Sequence, residues 1–224
     1  MTARVVRAHL AVTLAVTCVS AFFSYAYFHN DEYFQVLELT RSKLDPESVP
    51  VLPWEHTQRM RSWLQPFLYW GVGRALAVVG VRDIFELAFV FRLLTGLANV
   101  GALALFLRTT LPWQRSLAEE RLHLRVVTLA GFLPYLFVRT SSESASMAAV
   151  TAGVALLFRG ATPDPGERRW AAPALDRPRS LLLSGFLLGL AFELRYQTAA
   201  ITAGVVAWLL LAARTPARAL GMPT

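Results

Sequence analysis

One stretch limits the architecture of this chain more than any other. Residues 181–213 form an apolar run of 33 residues, interrupted by Glu193, Arg195 and Gln197. A bilayer core ~30 Å thick is spanned by ~20 apolar residues in a helix rising ~1.5 Å per residue. At that rise a single helix here would be roughly 50 Å long, too long for one crossing. The polar triplet therefore predicts two spans joined by a tight turn. Four other runs, 10–28, 84–107, 126–138 and 144–158, approach spanning length and bring the total to about six helices. The chain is 55% hydrophobic and 17% charged, a balance outside that of ordinary soluble domains. The expected fold class is all-α: a polytopic integral membrane protein forming one module over residues 1–224.

The first run has Arg4 and Arg7 before it, as a signal peptide would. However, 19 residues exceed the ~7–15 of a signal-peptide core, and the run ends in aromatics instead of a small-residue cleavage site. It reads as a retained transmembrane helix.

The net charge of +7 does not indicate nucleic acid, because the basic residues lie in short patches between apolar runs and not along one stripe. They read as topology signals. With the N-terminus placed in the cytoplasm, Arg4, Arg7 and the arginines of 108–125, 159–179 and 214–218 all fall inside. The acid-containing segments 29–82, 139–143 and 193–198 then fall on the outer face. Lys43 is the single lysine among 22 basic residues, a usage that hints at a GC-rich bacterial genome and hence a bacterial plasma membrane. Cys18 is the single cysteine, so neither an internal disulfide nor a cysteine-based metal site can form.

The segment 29–82 is the one large outer loop. Trp54, Trp63, Tyr69 and Trp70 are residue types that favour a membrane–water boundary, and one or two amphipathic helices are expected to lie there. Further on, Pro134 interrupts the short run 126–138. Thr140 and Glu143 then have capping-box spacing, which predicts a helical hairpin with its tip at 139–143. The proline-rich, basic stretch 159–179 reads as a connector.

Three clusters carry candidate chemistry. In "HNDEYFQ", His29, Asp31, Glu32 and Gln35 follow directly on the first span. A carboxylate held at the half-desolvated membrane edge has its pKa raised, which suits a general base. In "PWEHTQRMRSWLQP", Glu55, His56, Arg59 and Arg61 cluster. His29, Asp31, Glu32, Glu55 and His56 could together bind a divalent metal, but nothing fixes their spacing, and no cofactor is expected. In "GLAFELRYQTAA", Glu193 and Arg195 sit between apolar halves, either as a local ion pair or as functional charges. Arg139 in the hairpin tip is a similar case.

By this topology Arg139, Arg195 and the acid pair converge on the outer face. Arginine grips a phosphate with its forked donors. Outer-face arginines beside lipid headgroups, with a carboxylate alongside, suit a lipid-linked phosphosugar donor. A phosphate already leaves well, so one carboxylate to deprotonate an incoming hydroxyl suffices. Glycoside hydrolysis, which expels an alkoxide, needs two.

The four stretches "HNDEYFQVLE", "PWEHTQRMRSWLQP", "RTSSESAS" and "GLAFELRYQTAA" resemble, in order, motifs of the Alg9-like and Pig-type mannosyltransferases. These are GT-C membrane enzymes that use dolichyl- or polyprenyl-phosphate mannose. His29, Asp31, Glu32 and Gln35 match the family's His-Pro-Asp-Glu-x-x-Gln pattern, with Asn30 in place of the proline. Trp54, Glu55, Arg61, Ser62 and Pro66 match a second stretch. The resemblance implies an inverting, nucleotide-sugar-independent transfer to a glycan or lipid-linked acceptor hydroxyl, with Asp31 as the catalytic carboxylate and Glu32 shaping the acceptor site. Arg195 and Arg139 would hold the donor phosphate. His29, Gln35, Glu55, Arg61 and Gln197 would shape the two substrate sites. Family members are about twice this length, so the chain is expected to be a GT-C-like N-terminal module lacking a C-terminal half. Two other readings stay open: a non-catalytic, lipid-binding membrane subunit, which needs no Asp31, and a piece of a transporter.

Overall fold

A computed structural model describes residues 2–24, 30–45, 47, 52, 54–60, 62–159 and 178–211, without the side chains of Asp31 and Leu211. Among the described residues the regular structure is entirely helical. Helix α1 (Ala3–Phe23) is followed by a segment that begins as α2 (Asn30–Glu32), widens into a π-helical turn (Tyr33–Leu37) and continues as α3 (Glu38–Leu44). Then come α4 (Trp54–Thr57), α5 (Leu64–Val78) and α6 (Ile84–Thr110), which tightens into a 3₁₀ turn (Leu111–Trp113). Helices α7 (Leu117–Leu129), α8 (Phe132–Phe137), α9 (Ser142–Leu157), α10 (Pro178–Leu194) and α11 (Thr198–Leu211) complete the order.

Two of these helices are long and apolar enough to cross a membrane: Ala3–Phe23, with mean hydropathy 1.7, and Ile84–Trp113, with mean hydropathy 1.8. Ser142–Leu157 and Thr198–Leu210 are apolar but shorter. The division of the long run falls where its polar triplet stands, with α10 ending at Leu194 and α11 starting at Thr198. The Thr198 hydroxyl donates to the Arg195 carbonyl at 2.9 Å and closes that turn.

The run at 126–138 is not one helix. Helix α7 begins nine residues earlier, because Ser116 caps it, accepting from the Glu119 amide at 3.2 Å, while the Glu119 carboxylate accepts from the Arg115 amide at 2.8 Å. It ends at Leu129, and Ala130 is extended (ψ 98°) before α8 begins. Pro134 accounts for the break: a proline clashes with the carbonyl four residues before it, and that carbonyl belongs to Ala130. Turned out of the helix, it accepts from the Leu133 amide at 2.9 Å. Helix α8, six residues long, extends only about 9 Å.

Helix α9 is the centre of the bundle, packing against α6 on one side and α10 on the other. Small residues allow the approach, as in membrane-helix interfaces generally. A Cβ on Gly153 would lie 3.1 Å from Leu188 Cγ and 3.3 Å from the Ser184 carbonyl oxygen. The Ser184 hydroxyl donates to the Gly153 carbonyl at 2.7 Å. One apolar core joins α6, α7 and α8 through Val100, Leu103, Leu107, Leu124 and Phe137. A second, of Val36, Tyr69, Leu87 and Phe91, ties the π turn to α5 and α6. Its Val36 also lines the cavity of the candidate site.

Candidate functional site

Glu32 is the anchor of the acid motif. It is 1% exposed. Its Oε1 accepts from the Thr140 amide at 2.9 Å and from the Thr140 hydroxyl at 2.8 Å. Its Oε2 lies 3.9 Å from Arg139 Nη1. The Arg139 guanidinium in turn stacks on the Tyr135 ring, 3.8 Å from its centroid, an attractive cation–π geometry. Glu32 thus binds the tip of the α8–α9 hairpin across 108 residues of sequence. The capping box expected at Thr140 and Glu143 does not form. Ser141 caps α9, accepting from the Ser144 amide at 3.3 Å, which frees the Thr140 hydroxyl for Glu32 and the Glu143 carboxylate for a distant partner.

Behind this clamp runs a buried polar chain. Gln65 Nε2 donates to the Thr140 carbonyl at 2.9 Å and to the Tyr69 hydroxyl at 3.2 Å. The Tyr69 hydroxyl shares a 2.5 Å bond with Thr95 Oγ1, and its ring stacks on Phe91. Burial raises the pKa of the Tyr69 phenol, and the Glu32 charge raises it further, so the hydroxyl stays protonated. Asn99 Nδ2 reaches the carbonyls of Thr95, Phe137 and Ser144 at 3.0–3.2 Å. These bonds pin α5, α6 and the hairpin into one arrangement, and each buried polar group they satisfy would otherwise carry a desolvation penalty.

In front of the clamp lies a cavity of about 310 Å³ whose lining includes Gln35, Arg59, Ser142, Glu193, Arg195 and Tyr196. That volume is within the range of small-ligand sites. The lining comes from all the motifs singled out in the sequence: the acid motif, the Trp-Glu stretch, the hairpin and the α10–α11 turn. Gln35 Nε2 donates to Glu55 Oε2 at 2.9 Å, which brings two of the expected site-shaping residues into contact. Arg195 does not pair locally with Glu193. Its Nη1 forms an ion pair with Glu143 Oε1 and donates to Ser142 Oγ at 3.2 Å, tying the α10–α11 turn to the hairpin.

The remaining expected residues are dispersed. The Asp31 backbone lies in α2 beside Glu32. His29 and Arg61 fall outside the described residues. Gln197 is exposed in the α10–α11 turn, away from the cavity lining. Arg139 is only 5% exposed and is engaged with Glu32. Among the described residues no group of three or more His, Cys, Asp or Glu side chains is arranged to hold a metal.

Several residues of the site carry weak sequence signals. Arg59 adopts φ 54°, the left-handed region that is uncommon for a non-glycine residue. It lies two residues past the end of α4, in a turn closed by its amide bonding to the His56 carbonyl at 3.1 Å. Ser142 and Gln65 look like ordinary polar residues until the chain is folded. The π turn itself is a recurrent mark of functional segments and has no period that a sequence reading would register.

The sequence model of the Alg9-like mannosyltransferase family matches residues 9–216. Neither the curated proteins nor the solved structures contain a match to the chain.

Proposed function

We propose, from the premise that the chain belongs to the Alg9-like mannosyltransferase family, that it transfers a sugar from a polyprenyl-phosphate donor to an acceptor hydroxyl, with inversion. The family makes it a glycosyltransferase with a sugar donor and a glycan or lipid-linked acceptor. The finer reading, mannose from a lipid phosphate on the outer face of a bacterial plasma membrane by a multi-pass protein, is ours. The observation that carries it is the cavity in which Gln35, Arg59, Ser142 and Arg195 meet beside the helix bearing Asp31.

In this reading Asp31 takes the proton of the acceptor hydroxyl as its oxygen bonds to C1 of the sugar. The bond from C1 to the phosphate oxygen breaks, and the lipid phosphate leaves with the electron pair. Arg195 receives that charge, with Arg59 as a second cation on the same cavity. Glu143, whose side chain is 49% exposed, holds Arg195 until a phosphate displaces it. Glu32 and Arg139 act one step back as positioning residues, keeping the hairpin seated so that Ser142 and Arg195 face the cavity. The Gln35–Glu55 bond holds α4 against the π turn.

Asp31→Asn tests this. It keeps size and hydrogen bonding but removes the base. Transfer from a polyprenyl-phosphate sugar, measured in nanodiscs, is expected to fall by the ~10²–10⁴-fold typical of general-base loss, with donor binding retained. Full transfer by Asp31→Asn would overturn the mechanism. Donor binding without transfer by the parent protein would favour a non-catalytic, lipid-binding subunit.

A further inference from the structure

The segment formed by the π turn and α3 has a second face, turned away from the site cavity. Tyr33, Leu37, Arg41 and Leu44 line it, and with Phe85, Ala88, Phe91 and Arg92 of α6 they enclose a cleft of about 390 Å³. The walls are apolar apart from Thr40 and the charged Glu38, Arg41 and Arg92. Arg92 is 7% exposed, and its Nε is buried with no hydrogen-bond partner. The carboxylates within reach are already engaged. Glu32 is held by Thr140 and Arg139, and Glu38, 1% exposed, pairs with Arg41 Nη1 at 3.5 Å. The Glu32 charge attracts Arg92, but among the described side chains no hydrogen bond to a carboxylate satisfies Arg92 Nε.

A buried guanidinium with an unsatisfied N–H is costly, and no group in the transfer mechanism uses it. We propose that this cleft is a binding site for a membrane lipid with a phosphate headgroup. The phosphate oxygens accept from the Arg92 and Arg41 guanidinium groups, and the hydrocarbon chain lies along Leu37, Leu44, Phe85 and Phe91. The site is separate from the donor cavity and does not depend on the transfer reading. Apolar walls alone would accept any hydrocarbon; the unsatisfied Arg92 Nε selects the anionic head.

The test uses the full chain, delipidated in detergent, with binding measured by native mass spectrometry and by the ligand-induced rise in melting temperature. The probes are phosphatidic acid, the matching diacylglycerol and inorganic phosphate. Phosphatidic acid is expected to bind saturably and to raise the melting temperature. Arg92→Met is expected to weaken it by about ten- to a hundredfold, the loss of a charge-assisted bond, without lowering the melting temperature of the lipid-free protein. Ala88→Trp, which fills the cleft and leaves every charge in place, is expected to weaken it as well and guards against a folding defect in the first variant. Undiminished binding in both variants would overturn the proposal. Equal binding of diacylglycerol would reduce the cleft to an apolar groove. Competition by inorganic phosphate at the same concentration as the lipid would make it a simple anion site; either result refutes a phospholipid site. Because the readout is binding, failure here leaves the Asp31 experiment unaffected.

Discussion

Replacing Glu32 by Gln separates a positioning role from a substrate-binding one. The carboxylate accepts two bonds from Thr140, at 2.9 and 2.8 Å, and faces Arg139 at 3.9 Å. Bonds to a charged acceptor contribute ~1.5–3 kcal/mol each against ~0.5–1.5 for neutral ones. Glutamine can still accept from Thr140, so about 1 kcal/mol is lost per bond. It also leaves the buried Arg139 without its carboxylate, and removing one partner of a buried pair costs ~3–5 kcal/mol. The 3.9 Å separation and the cation–π support from Tyr135 put the pair term at its lower end, about 3 kcal/mol, and the expected total at about 5 kcal/mol. For a chain of this size that is roughly a 10–20 °C drop in melting temperature. Thr140→Val removes the hydroxyl bond and keeps the amide one, for about 1.5–2 kcal/mol. Because the two residues share one interaction, the double variant should fall short of the sum by about 1 kcal/mol or more. Thermal unfolding in detergent reads the cycle, with acceptor KM measured alongside. A Glu32→Gln protein as stable as the parent but with a raised acceptor KM would refute the clamp and place Glu32 at the acceptor.

Three further expectations follow from the same geometry. Arg195→Lys keeps the charge but loses the fork, so donor affinity should fall more than in Glu143→Gln, which releases Arg195 for the phosphate; equal donor affinity in Arg195→Lys and parent, by titration, would refute a bidentate contact. His123 Nε2 lies 2.8 Å from Thr110 Oγ1, and burial lowers its pKa below the ordinary imidazole value of about 6.5. The unfolded chain therefore binds this proton at a higher pH than the folded one, so stability should be full above about pH 6.5 and fall on acidification toward the lower folded value; melting curves across that window should flatten in His123→Gln. Gly153→Ile would place branched carbon against Leu188 and the Ser184 carbonyl, and overpacking of this kind costs ~1–3 kcal/mol, read as a lower melting temperature.

Much of the helical frame was legible in one dimension. Apolar run length separates spanning from non-spanning helices, and the Glu193–Gln197 interruption marks a turn because charged and amide groups resist burial in hydrocarbon. Pro134 carried a further signal: the chemistry that breaks the helix at Ala130 is local, and so is the Ser116–Glu119 cap that starts α7 early. The motifs likewise announced their chemistry by residue type. Which groups they meet was not legible. Glu32 and Asp31 are adjacent and of the same chemical class, yet only the fold turns Glu32 inward to Thr140. Arg195 had an acid two residues away and bonds instead to Glu143, 52 residues back. Arg92 looked like one more arginine in an apolar helix. Local propensity, capping and hydropathy depend on neighbours along the chain and can be read from their order. A hydrogen bond across 108 residues, or a guanidinium N–H left unsatisfied, depends on which surfaces pack, and that is decided only when the helices come together.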